Sequence, residues 1–135
     1  MKGYPNDLYI LAFDHRGTLT KGLLGVEGRQ PSEEEVARVS SMKDIIFDGF
    51  LEASSKGIEG GDPAILVDET FGLQVQNRAK DMGIKLAAPV EKSGQKIFDF
   101  EYGDNFGEKI KEVNADFVKI LVRWNPDDDS ETRQI

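Results

Sequence analysis

The chain has 135 residues, with 25 Asp and Glu against 17 Lys and Arg and a formal net charge of -8. A chain of about this size buries roughly two thirds of its unfolded surface, enough for one domain with a real core and too little for two. The acidic balance argues against nucleic acid and anionic membranes as partners, although two or three basic residues suffice for a small anion. No cysteine is present, which excludes disulfides and thiolate metal sites and fits a reducing compartment. The amino-terminal MKGYPNDLYI has no signal-peptide core, and no run approaches the roughly 20 apolar residues of a membrane span. The expectation is a soluble cytoplasmic protein.

Leu8 to Gly17 reads LYILAFDHRG: an apolar run stops at Asp14, His15 and Arg16, and a glycine turns the chain away. A buried parallel strand ends this way when its carboxyl end opens into a polar site. The pattern recurs in AILVDETFG (Ala64 to Gly72), IKLAAPVEKSG (Ile84 to Gly94) and DFVKILVRWNP (Asp116 to Pro126). Between the first two strands, Gly17 to Pro31 is rich in glycine and reads as a long connection with one short helical turn around Leu23 and Leu24. It is either a surface excursion or a substrate-covering loop.

Ser32 followed by Glu33, Glu34 and Glu35 is a capping box. Val36, Val39, Met42, Ile46, Phe50 and Ala53 then recur at helical spacing, widened by Ile45, Phe47 and Leu51, so a long amphipathic helix should run to about Lys56. Gly60 to Pro63 turns the chain into the second strand. A shorter helix is expected from about Leu73 to Met82, closed by Gly83. Gly94 to Asn105 is a second long connection whose aromatics, Phe98, Phe100 and Tyr102, suit an edge strand or a lid. A third helix from about Asp104 to Val113 should stop near Asn114, and Ser130 reads as the cap of a further helix.

Strands alternating with helices specify an α/β fold with parallel strands and crossover helices. Eight such pairs close a barrel in about 250 residues, so four strands and three helices predict the first half of a TIM (β/α)8 barrel, a single partial domain over residues 1–135. A small doubly wound sheet is the alternative. In a half barrel, alternate residues share the inner face and end at the mouth: Asp14 on the first strand, Asp68 on the second, Glu91 on the third, Lys119 and Arg123 on the fourth. A lysine within FVKILV is either neutral, and then a nucleophile toward carbonyls, or held in an ion network with those carboxylates. Arg16 and Arg123 are candidates to clamp a phosphate or carboxylate. His15, one residue out of phase and the sole histidine, makes zinc an improbable ligand, while carboxylates alone leave magnesium open.

Together AFDHRGTL, ILVDETFG, PVEKSGQ with FDFEYG, and DFVKILVRWNPDD resemble the amino-terminal half of the aldolase-like domain of inositol-catabolism 2-deoxy-5-keto-gluconate-6-phosphate aldolases. They resemble tagatose-1,6-bisphosphate aldolases more loosely. The resemblance implies a class I aldolase of TIM-barrel type. Such an enzyme cleaves a ketose phosphate without metal or other cofactor, through a Schiff base on a lysine. By position, Asp14 of FDHRG, Glu91 of VEKSG and Lys119 of DFVK match the family's active-site acid, second acid and pocket lysine. Arg16, Asp68, Glu69 and Arg123 follow as substrate-binding candidates. The second strand departs from the tagatose enzymes' Asp, Pro, Glu, Tyr, Gly, reading Asp68, Glu69, Thr70, Phe71, Gly72. In those aldolases the Schiff-base lysine and phosphate site lie on later strands, so the chain is expected to hold part of a site. Open edges and a bare inner face further predict pairing with a second copy or a complementary half barrel. The rival expectation is a non-catalytic half-barrel fragment or binding module.

Overall fold

The computed structural model describes residues 3–127. Strands β1 (Asp7–Ala12), β2 (Gly61–Leu66), β3 (Lys85–Pro89) and β4 (Phe117–Lys119) form one parallel sheet in the order β1-β2-β3-β4. This unreversed order is that of half an α/β barrel and lacks the switch point of a doubly wound sheet. Helices α1 (Gly17–Leu24), α2 (Glu33–Ser55), α3 (Glu69–Asp81) and α4 (Phe106–Val113) fill the connections, the last preceded by a 3₁₀ turn at Gly103–Asn105.

Strand periodicity sorts the side chains onto two faces. Ile65, Val67, Leu86 and Ala88 are at most 6% exposed and pack with Phe13 against Phe47 and Phe50 of α2, Val75 and Ala79 of α3, and Val113 of α4. The intervening positions form the other face, where Ala12, Leu66, Ala87 and Phe117 stand in register. No helix covers it among the described residues, and Ile10 is 48% exposed there. Tyr4 packs edge-on against Phe117, with ring centroids 5.2 Å apart, and so shields only the amino end of that face.

Several elements differ from expectation. The glycine-rich segment after β1 holds an eight-residue helix, one helix more than predicted. Gly17 opens it and Gly25 ends it in the left-handed conformation (φ 66°), so only Gly22 weakens its interior. On α2 the capping box forms as read, but the buried stripe is Val39, Lys43, Phe47 and Phe50, while Ile45 stays 70% exposed. Helix α3 starts four residues earlier than its apolar period suggests, because Asp68 caps it. Its backbone is non-helical at Gly72, where a methyl group would collide with Val67.

The connection after β3 makes no edge strand. One antiparallel bridge joins Glu91 to Phe100, and Phe100 stacks on Phe106 with centroids 3.9 Å apart. That bridge shortens β4. Val90 donates to the Lys119 carbonyl, but its own carbonyl accepts from the Glu101 N–H, so the ladder stops there. Ile120, Leu121, Val122 and Trp124, expected to extend the strand, lie 46–63% exposed. The helix cap expected at Ser130 lies outside the described residues.

Candidate active site

The carboxyl ends of β1, β3 and β4 bring Asp14, Glu91 and Lys119 together. Lys119 Nζ donates to Asp14 Oδ2 at 2.9 Å and to Glu91 Oε1 at 2.6 Å. The lysine side chain is 28% exposed, that of Asp14 18% and that of Glu91 7%. Burial pulls the Lys119 ammonium toward neutrality, but the hydrogen bonds it donates to Glu91 and Asp14 outweigh it and hold the group above the ordinary lysine value. Of the two states open to this lysine in sequence, the ion network is the one formed.

Arg16 forms the second layer. Its Nη2 donates to the Glu91 carbonyl at 2.9 Å and lies 3.4 Å from Glu91 Oε1, while Nη1 donates to Glu101 Oε2 at 3.1 Å. Glu91 is therefore gripped from both sides through one oxygen. Its Oε2 is buried without a hydrogen-bond partner. A cavity of about 340 Å³ opens beside this cluster, bordered by Asp14, Arg16, Glu91, Lys119 and Arg123. The 92–99 loop closes its outer side, braced by an ion pair between Lys92 and Asp99. Such a volume lies at the small end of ligand sites.

The remaining candidates are placed differently. Arg123 is exposed on the cavity rim. His15 is exposed and borders the cavity, and its backbone carbonyl accepts from Lys43 at 3.0 Å. Asp68 is 1% exposed, and its oxygens serve Lys43 and the Phe71 N–H, so its carboxylate is spent inside the fold. Glu69 also stands apart from the cavity. It accepts from the Tyr102 hydroxyl at 2.8 Å and pairs with Lys109 at 2.8 Å. Burial first, then this bond to Glu69, pushes the Tyr102 hydroxyl up to about 12.

Sequence reasoning passed over Lys43 and Glu101. Lys43 is four residues from both Val39 and Phe47 and so falls on the buried stripe of its helix, the spacing that betrays it. Glu101 lies in the FDFEYG motif, yet only the bridge between Glu91 and Phe100 carries it to Arg16. Among the described residues no three His, Asp or Glu side chains are grouped to hold a metal ion. None of the described helices is long and apolar enough to cross a membrane.

The arrangement offers a fixed ammonium and two carboxylates on one rim. These can donate to a carbonyl oxygen and accept from hydroxyls. Comparison with curated proteins and with solved structures gives no match. A family profile described as "Uncharacterized protein conserved in bacteria (DUF2090)" matches residues 2–135, and the chain belongs to that family.

Proposed function

We propose that this mouth is part of an aldolase-like site, a carbon–carbon lyase centre for a ketose phosphate of sugar or inositol catabolism. The observation that carries the reading is the Lys119 ammonium between Asp14 and Glu91, on the rim of a ligand-sized cavity at the carboxyl ends of parallel strands. In a retro-aldol cleavage, a base takes the proton of the β-hydroxyl and that oxygen becomes a new carbonyl. The adjacent carbon–carbon bond breaks, and its electron pair forms an enolate at the original carbonyl, which is then protonated. Asp14 and Glu91 suit the proton transfers, and Lys119 suits the developing oxyanion. Arg123 on the rim suits the phosphate, since Arg16 already holds Glu91 and Glu101. An imine on Lys119 would need the neutral amine, which its two carboxylates oppose.

Closure by a second half, either another copy or a complementary half barrel, belongs to this reading. Its support is the uncovered face and the exposed apolar run after β4. In sedimentation, association rising with concentration is the expected result, and a monomer whose melting temperature is independent of concentration removes this part of the proposal.

The chemistry is tested by incubating the folded chain with ketose phosphates and following binding and cleavage, and in parallel with dihydroxyacetone phosphate, a three-carbon ketone phosphate that such a cleavage can release, and borohydride, then reading intact mass and modified peptide. An adduct on Lys119 assigns imine chemistry to this residue. Ketose phosphate binding without adduct or cleavage selects the second reading, a non-catalytic binding module. What favours that second reading is the commitment of the ammonium to two carboxylates, which opposes the imine of the class I route.

A further inference from the structure

Lys43 is completely buried, yet no part of the chemistry proposed above uses it. Its three ammonium donors are all committed: to the Phe13 carbonyl at 2.9 Å, to the His15 carbonyl at 3.0 Å, and to Asp68 Oδ1. The two carbonyls belong to the residues on either side of Asp14. They lie beyond the last ladder bond of β1, in which Phe13 donates to the Leu66 carbonyl at 2.8 Å. Past that point the sheet no longer holds the chain, and α2 does so through Lys43. Asp68, the ammonium's counter-ion, also caps α3 by accepting from the Phe71 N–H at 2.9 Å. One ammonium thus ties the end of β1, the middle of α2 and the start of α3 to a common point.

Stability alone does not account for such a group. Buried ion pairs roughly break even against apolar residues of similar volume once desolvation is counted. The Lys43 ammonium lies below the ordinary lysine value, chiefly through burial and despite Asp68. A methionine facing an apolar partner would fill the same space. What a methionine cannot do is hold two specified carbonyls.

We infer that Lys43 is a positioning residue for the mouth: by gripping the carbonyls that flank Asp14, it fixes the carboxylate that Lys119 meets 2.9 Å away. The role holds whether the mouth catalyses or only binds, so its failure and the failure of the proposed chemistry are separate outcomes.

The test pairs Lys43→Met with Asp68→Asn. This double substitution removes both charges together and keeps an acceptor for the Phe71 N–H. Two quantities are followed at neutral pH: the backbone ¹⁵N order parameters of residues 14–16 relative to β2 and β3, and the ¹⁵N signal of the Lys119 ammonium. That signal persists only while its protons are held in hydrogen bonds, is assigned by its loss in Lys119→Met, and is referenced to Asp14→Asn. The order parameters of residues 14–16 are expected to fall from about 0.85, the rigid-backbone value, toward about 0.6, with the core strands unchanged. The Lys119 signal should broaden toward its appearance in Asp14→Asn. Val75→Ala, a core change on α3, should lower the melting temperature without moving the Lys119 signal. If the double variant does not fold, Lys43→Arg is read in the same way, since it keeps the charge but not the three-pronged geometry. A folded variant of either kind with wild-type order parameters at residues 14–16 and an unmoved Lys119 signal overturns the inference.

Discussion

The two faces of the sheet carry residues from the same strands, often neighbours in sequence, yet they do different work. On the helix side Ile65 and Leu86 are fully buried, whereas on the open side Ile10 is 48% exposed. The covered face has its apolar partners within the described chain and supplies the stability. The open face leads straight to the charged mouth; Ala64 and Ala87 are buried on it, but Ile10 lacks such partners. Truncation should separate them. Ile65→Ala should cost about 2–5 kcal/mol in chemical denaturation, the range for a buried large-to-small change. Ile10→Ala should cost about 1 kcal/mol or less at low protein concentration, because half of that surface is already in water. If a second half covers the open face, the Ile10→Ala penalty grows with concentration while that of Ile65→Ala does not. Equal penalties at all concentrations would erase the distinction between the faces.

The two lysine clusters repeat the contrast in polar form. Lys43 is sealed in with Asp68, whereas Lys119 keeps 28% of its side chain exposed between Asp14 and Glu91. Lys119→Met should therefore cost only about 1–2 kcal/mol, since water reaches Asp14 and Arg16 still holds Glu91. The pH dependence has a definite sign. Lys119 titrates above its unfolded value, so its contribution is fully present below about pH 10.5 and is lost as pH rises through the folded value. The melting temperatures of wild type and Lys119→Met should accordingly converge above about pH 10.5 and stay apart at neutral pH. A gap that widens on the alkaline side would mean that the carboxylates do not hold this ammonium.

Legibility in sequence followed the same division. Strand ends, helix order and the meeting of Asp14, Glu91 and Lys119 were readable because a period of two fixes which side chains share a face and parallel strands put their carboxyl ends together. Lys43 was missed because an apolar count discards lysines, although its i±4 neighbours Val39 and Phe47 mark it as buried. The length of β4 was unreadable for another reason. FVKILV has the composition of a strand throughout, but a ladder needs a partner, and the Val90 carbonyl is taken by the Glu101 N–H. Asp68 matched the mouth pattern as well as Asp14 did, and only the position of Lys43 separates them. Local pattern fixed the phase of each strand, and contacts distant in sequence decided which polar groups were used up.

The smallest expected effect lies at the start of α2, among residues that do not border the cavity. Glu35 N–H donates to Ser32 Oγ at 3.3 Å, the Ser32 N–H donates to Glu35 Oε2 at 2.8 Å, and Arg29 clasps the same carboxylate through two bonds of 2.7 Å. Ser32→Ala should cost about 1 kcal/mol, the usual value for a lost cap. The Arg29 guanidinium, followed by the Ser32 N–H, pulls the Glu35 carboxyl down to about 2. A depressed carboxyl contributes stability above its unfolded value and loses it as pH falls through the folded one. The difference between wild type and Glu35→Gln should therefore be full at pH 7, begin to shrink below about pH 4.5 and vanish near pH 2. Circular dichroism melts across that window check it. Because the cap touches neither face of the sheet, its loss should leave the Lys119 signal and the Ile10 concentration dependence where they were. If weakening the start of α2 disturbs the mouth, the helix carries strain from its cap to Lys43, and the two faces are less independent than their burial implies.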